Sequence, residues 1–175
     1  MSQMSLKKIV VIGPESTGKS TLSKALAKAL HTVWVPEYAR AYLESLGRPY
    51  AEADLLLMAA GQIESEDRLI QQANKYLICD TDLYVIKVWS EAKYGRCHRW
   101  ILEQIAQRSY DGYLLTGIDM PWQDDPLREH PSTEERRYFY NIYRDIVSNS
   151  GRPWATINGN EEHRLSAALD AVSRF

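Results

Sequence analysis

The chain has 175 residues, 45% hydrophobic and 25% charged, an ordinary globular balance that fits one domain over 1–175 around a well-buried core. Its 21 basic and 23 acidic side chains leave a net charge of −2, which gives no electrostatic ground for a nucleic-acid partner. No apolar run approaches the roughly 20 residues that would cross a membrane. Cys79 and Cys97 are too few for a disulfide framework or a zinc site, and Met1 to Lys8 lacks the apolar stretch of an export signal, so a reducing, cytoplasmic setting is expected.

In chain order, Lys7 to Gly13 (KKIVVIG) is a β-branched run closed by glycine, which predicts a strand. Leu22, Ala25, Leu26, Ala29 and Leu30 follow at helical spacing. Thr32 to Pro36 reads as a second strand. Leu56, Ala59, Ala60, Ile63 and Ile70 then mark one face of a long helix beginning near Glu52, and Tyr76 to Asp80 (YLICD) is a third strand with Cys79 in the core. A helix is expected from about Leu83, another over His98 to Arg108, and a fourth strand over Gly112 to Asp119. Phe139, Ile142, Tyr143, Ile146 and Val147 form a helical stripe, Trp154 to Asn158 a short fifth strand, and Leu165, Ala168, Leu169 and Val172 a last helix. Unbroken apolar strands separated by helices predict an α/β fold with a central five-stranded parallel sheet flanked by helices on both faces. Ligands bind such sheets beyond the carboxyl ends of the strands, so the polar residues just after each strand are the ones to interrogate.

Gly13-Pro14-Glu15-Ser16-Thr17-Gly18-Lys19-Ser20 matches the phosphate-binding pattern G-x-x-x-x-G-K-[ST] and lies between an apolar strand and an amphipathic helix, where that chemistry requires it. The glycines let successive N–H groups turn toward a β-phosphate, and the following helix adds the positive end of its dipole. Lys19 supplies a mobile charge for the β- and γ-phosphates of ATP, Ser20 a hydroxyl for Mg²⁺, and Thr21 completes the nucleotide-binding segment.

A GTPase would need N-K-x-D, but the Asn74-Lys75 pair is followed by Tyr76-Leu77, and there is little room for the second domain of a motor or transport ATPase. A compact kinase carrying its acceptor site in the same domain remains. Such an enzyme needs a group near the acceptor hydroxyl, a carboxylate supporting the metal, and arginines for the transferring phosphoryl group. Strand ends offer Glu37, Tyr38 and Arg40 (PEYAR), then Asp80, Thr81 and Asp82 (CDTD). Trp122-Gln123-Asp124-Asp125-Pro126-Leu127-Arg128 suits a closing lid over about 120–137. Each also has a plainer reading: Glu37 as a helix-terminal acid, Asp80 as a helix cap, the proline-rich segment as inert surface. Tyr38, Tyr42, Trp89, Tyr94 and Trp122 are placed to stack on a planar base, whereas Trp34, Trp100 and Trp154 are expected in or beside the core.

These residues resemble the ribosylnicotinamide kinase domain of NadR-type proteins, within the thymidylate-kinase-like P-loop group. The resemblance rests on GPESTGKSTL at 13–22, EYAR at 37–40, CDTDL at 79–83, KYG at 93–95 and WQDDPLR at 122–128, in that order, and covers nearly the whole chain. It implies transfer of the γ-phosphoryl group of ATP to the 5′-hydroxyl of nicotinamide riboside, giving nicotinamide mononucleotide. Carried over by position, Lys19 and Ser20 serve ATP and Mg²⁺, and Glu37 and Asp80 are the acceptor-side carboxylates, with Asp80 also near the metal. Arg128 looks like the lid arginine and Tyr94 like a nicotinamide-stacking residue; Tyr38, Arg40, Asp82, Trp122 and Asp125, from their own places at strand ends and in the proline-rich segment, are the further candidates for the acceptor pocket. Pro36 stands where family members can carry an aromatic. A kinase for another nucleoside or small alcohol, or an ATP-binding regulatory protein with little turnover, stays open, as does a homo-oligomer.

Overall fold

The computed structural model describes residues 6–175. Residues 1–5, most of the segment read for an export signal, lie outside them. The elements are β1 (Lys7–Ile12), α1 (Lys19–Ala29), β2 (Trp34–Val35), α2 (Tyr38–Leu46), α3 (Glu52–Leu69) running into a 3-10 turn (Ile70–Gln72), β3 (Tyr76–Asp80), α4 (Leu83–Tyr94), α5 (Arg99–Gln107), β4 (Gly112–Thr116), α6 (Thr133–Asn149), β5 (Trp154–Ile157) and α7 (Glu161–Arg174). Every paired strand is parallel and the sheet order is β2-β3-β1-β4-β5, the expected architecture. The chain crosses from β1 toward β3 on one side and continues to β4 on the other. The carboxyl ends of β1, β3 and β4 therefore surround a topological switch point, where a crevice opens.

Ile9, Val10, Val11 and Ile12 are wholly buried because β1 is covered on both faces. Val10, Ile12, Leu77, Cys79 and Leu115 pack with Val85 and Val88 of α4 and Phe139, Tyr143 and Val147 of α6. Ile9, Val11, Ile78 and Leu114 face Leu22 and Leu26 of α1 and Ala168, Ala171 and Val172 of α7. Each such aliphatic side chain contributes about 1.5–3 kcal/mol by leaving water. A third cluster joins α2, α3, α4 and α5 beside the sheet through Ala39, Leu55, Met58, Ile86 and Ile101. No helix among the described residues is long and apolar enough to cross a membrane.

Several local expectations are corrected, the fourth strand ending at Thr116 and not at Asp119. The second strand shrinks to Trp34–Val35, paired with Ile78 and Cys79, because Pro36 has no N–H to extend the ladder. A separate helix, α2, fills 38–46 and stops at Gly47, whose φ of 68° is left-handed. The buried face of α3 is Leu55, Met58, Ala59, Gln62 and Glu66, with Ala60 exposed. That stripe runs through two polar side chains, which hides it from an apolar count. Gln62 Oε1 accepts from the Tyr38 N–H at 2.8 Å. Glu66, 1% exposed, accepts from Lys8 Nζ at 3.2 Å, Arg108 Nη2 at 3.1 Å and the Tyr110 hydroxyl at 2.9 Å, so it is buried with partners. Gly61 faces the Tyr38 ring, which a Cβ would strike, and this lets α2 lie close on α3.

Candidate active site

The phosphate loop is shaped by its neighbours as much as by its own sequence. Gly13 has a φ of 151° and presses against Thr116 at the end of β4, where any Cβ would collide with that side chain. Thr17 Oγ1 lies 2.7 Å from Thr116 Oγ1 and donates to Pro14 O at 2.8 Å. No side chain caps α1 at Gly18, so the first N–H groups of the helix remain directed into the cleft. Lys19 Nζ donates to Pro14 O at 2.6 Å, within the loop it serves.

Two arginines that the sequence reading missed hold this loop from behind. Arg164 of α7, 2% exposed, donates to Thr17 O at 2.6 Å and Gly159 O at 2.8 Å and pairs with Asp119 at 2.5 Å. Arg136 of α6, 7% exposed, donates to Ser16 O at 3.2 Å and Met120 O at 3.0 Å, while its Nε is buried without a partner. Burial and the adjacent Arg128 draw its pKa down. Neither arginine sits in a recognisable local pattern.

Across the cleft, Ser20 Oγ donates to Asp80 Oδ2 at 2.5 Å. Asp80 Oδ1 is buried without a hydrogen-bond partner. Burial raises the Asp80 pKa, opposed by Ser20 and Lys19. A hydroxyl oxygen beside a carboxylate with a free oxygen is the hard donor set that Mg²⁺ takes alongside phosphate oxygens, so these two residues fit the metal expected with ATP. Glu37, the N-cap of α2, shares the cleft. It stays partly exposed as a whole residue, but its carboxyl is enclosed, and burial pushes its pKa up to about 7 against the pull of Lys19.

Thr81, between the two acids of the third strand end, has a φ of 69°, costly for a β-branched residue at about 1–3 kcal/mol. Its N–H bonds to Val11 O at 3.0 Å. The turn sends Asp80 into the cleft and Asp82 away from it. Asp82 caps α4 by accepting from Tyr84 N at 2.9 Å and faces the Tyr113 hydroxyl at 3.4 Å, so it is a buried cap, pushed up to about 7 by burial.

Residues 117–132 form no helix or strand, and α6 begins at 133, inside the expected lid range. The segment lies over the phosphate loop. Glu15 accepts from the backbone N–H groups of Glu129 and His130, both at 3.1 Å, so this loop residue ties the 117–132 segment to the phosphate loop. Arg128 Nη1 reaches Ser16 Oγ at 3.3 Å and the carbonyl of Gln123. Arg40 is held by Glu44 and Asp125, both at 2.7 Å, tying α2 to the lid.

Lys19, Ser20, Thr21, Glu37, Arg40, Asp80, Asp125, Arg128 and the loop from Gly13 to Gly18 thus share one cleft of about 500 Å³. Tyr38, Asp82, Tyr94 and Trp122 do not line it. Tyr38 packs on Gly61, and the Tyr94 hydroxyl donates to Tyr50 O at 3.3 Å from within the cluster around α3 and α4. Trp122 stands beside two arginines, its ring 5.8 Å from Arg128 and 6.0 Å from Arg136. Trp89, one of the rings expected to stack on a base, does line the cleft, and with Phe139 and Tyr50 it walls a chamber of about 180 Å³ contiguous with the cleft and containing Glu15, Glu129, His130 and Lys93. Tyr50 follows Pro49 in a loop, far from any strand end, where nothing in the local sequence marks it.

Comparison with known proteins agrees with this architecture. The chain is 28% identical over 148 residues to the trifunctional NAD biosynthesis/regulator protein NadR of Escherichia coli, the match covering 81% of this chain and 36% of that protein. The chain therefore spans about a third of the length of that relative. A cytidylate kinase of Haloarcula marismortui is 27% identical, with 95% of this chain and 90% of that protein covered. The solved structure of a NadR protein in complex with NR superimposes with a TM-score of 0.78 at 24% identity, over 97% of this chain and 51% of that one. The fold is that of a P-loop kinase. A family model described as an AAA domain (AAA_28) matches residues 8–164, and the chain belongs to that family of P-loop domains.

Proposed function

We propose that the protein is an ATP-dependent kinase that phosphorylates the 5′-hydroxyl of nicotinamide riboside, giving nicotinamide mononucleotide. The observation that carries this reading is the pair of enclosed acids, Glu37 and Asp80, facing Lys19 across a cleft that continues into an aromatic chamber. A nucleoside offers neutral hydroxyls that carboxylates can accept from, whereas a phosphorylated acceptor would call for unengaged positive charge. The cations on that side of the cleft are already paired: Arg40 with Glu44 and Asp125, and Lys93 of the chamber with Glu129. Trp89 and Tyr50 give the chamber aromatic walls suited to a flat ring, and the Glu129 carboxylate beside them favours a positive one.

The division of labour follows from the contacts. Ser20 and Asp80 would hold Mg²⁺, which supplies charge neutralisation on the phosphates. That leaves Glu37, with a pKa near neutrality, to accept the proton of the 5′-hydroxyl as its oxygen bonds to the γ-phosphorus and the bond to the β-phosphate oxygen breaks, releasing ADP. Lys19 and the lid's Arg128 stabilise the transferring group. The similarity to NadR, one of whose structures was solved with NR, supports the choice of acceptor.

The similarity to a cytidylate kinase supplies the competing reading, a monophosphate acceptor. A panel of nucleosides and nucleoside monophosphates with Mg-ATP tests both. Nicotinamide riboside should be preferred over thymidine, cytidine and adenosine, and monophosphates should be ignored. If cytidylate or another monophosphate is the better acceptor, the nucleoside assignment is wrong.

A further inference from the structure

The aromatic chamber contains an ammonium group of its own. Lys93, in the last turn of α4, places Nζ 3.6 Å from the centre of the Tyr50 ring and 3.7 Å from Glu129 Oε1. Tyr50 in turn stacks on Trp89 with ring centres 6.3 Å apart and planes 30° apart, and its hydroxyl donates to Glu129 Oε2 at 3.3 Å. The Lys93 ammonium thus covers one face of the chamber's aromatic wall and neutralises the lid carboxylate beside it. Its side chain is 35% exposed, on a flexible four-carbon stem with a path to water. The other carboxylate of the chamber, Glu15, is occupied by two lid N–H groups.

We propose that Lys93 is a resident cation that a charged acceptor base must displace, and so is the residue that sets how strongly the site favours charged over neutral nucleosides. This rests on the reading that the chamber receives the acceptor's base. The Tyr50 face can hold one cation at contact distance, and two positive charges a few ångströms apart beside it repel. A pyridinium ring entering against Tyr50 gains the cation–π contact and the attraction of Glu129 only as Lys93 swings to solvent. A neutral base meets no charge repulsion from Lys93 and can share the chamber with its ammonium. Lys93 is thereby a selectivity filter working against the charge that the walls attract, and it moderates the preference.

The test uses Lys93→Met, which keeps the apolar stem without the charge, and Lys93→Arg, which keeps the charge. Lys93→Met should lower the KM for nicotinamide riboside by about three- to tenfold, within the range of one cation–π contact, and should change the KM for cytidine by less than about twofold. Lys93→Arg should behave like the unmodified protein. A second arm needs no turnover of nicotinamide riboside. Competitive inhibition by 1-methylnicotinamide, measured with whichever nucleoside the protein phosphorylates, should strengthen about three- to tenfold in Lys93→Met, while inhibition by neutral nicotinamide should not. If charged and neutral ligands improve equally, or if the charged ligands bind no better or more weakly, the proposal is overturned. Failure of nicotinamide riboside as a substrate alongside the expected inhibition pattern would instead refute the acceptor assignment and leave the role of Lys93 standing.

Discussion

The nucleotide half and the acceptor half of the cleft are built by different means. On the nucleotide side, residues adjacent in sequence fold over the end of a buried sheet and are fixed by the buried Arg164 and Arg136. On the acceptor side, the parts come from positions as far apart as Glu37, Tyr50, Trp89 and Glu129 and meet through partly exposed pairs such as Arg40–Asp125 and Lys93–Glu129. Exposed pairs contribute about 0–1 kcal/mol each, whereas breaking a buried charged contact costs several. On the proposed reading, the rigid half presents the phosphates and the marginally held half opens to admit and release an acceptor.

The sharpest way to break the comparison is Lys19→Ala. If the nucleotide half is a preorganised cradle, loss of this ammonium should cut kcat by on the order of a hundredfold or more with the fold intact, as checked by circular dichroism and steady-state assay. Near-normal turnover would remove the loop from the chemistry. Arg128 belongs to the lid yet touches Ser16 of the loop, so Arg128→Ala samples the seam between the halves. We expect kcat to fall about ten- to thirtyfold with a smaller change in ATP binding. An unchanged kcat with a raised KM for ATP would make Arg128 a ground-state contact only.

The mildest test concerns pH. The Glu37 pKa is raised to about 7, so the acid is increasingly protonated below that point, and a proton acceptor is lost as pH falls. With Asp80 also raised, the acidic limb of kcat/KM for the acceptor belongs to the pair. Activity should fall about fivefold from pH 7 to 6 and flatten above 8, and Glu37→Gln should lower activity and leave a shallower limb belonging to Asp80 alone. A profile level from pH 5 to 8 would exclude Glu37 as the base.

The same contrast explains what the sequence makes legible. The strands β1, β3 and β4 are read from unbroken apolar runs because burial on both faces requires them, and the phosphate loop is a contiguous pattern. Helix α2 also has a signal, Ala39, Tyr42, Leu43 and Leu46 at helical spacing ahead of Gly47, masked when its residues are weighed only as site candidates. The face of α3 misleads because Gln62 and Glu66 are buried with partners that lie far away in sequence. Tyr94 and Trp122 are reasonable by position, yet Tyr50 with Trp89 forms the wall, since only the packing of α3 against α4 decides which rings face the chamber. Arg136 and Arg164 emerge only once α6 and α7 are laid against the loop.

The backward turn at Thr81 bears on any redesign of the acceptor site. Simple alternation along an extended strand would put Asp80 and Asp82 on one side, making them look interchangeable as places to mount a carboxylate. The left-handed residue between them abolishes that equivalence. An engineer moving the acid by two positions would obtain a group sealed against Tyr113 at the head of α4, with nothing to offer a substrate. Replacing Thr81 with glycine would ease the strain and, by loosening the turn, weaken the separation of the two acids, so steric discomfort at one backbone position is part of what makes the site addressable.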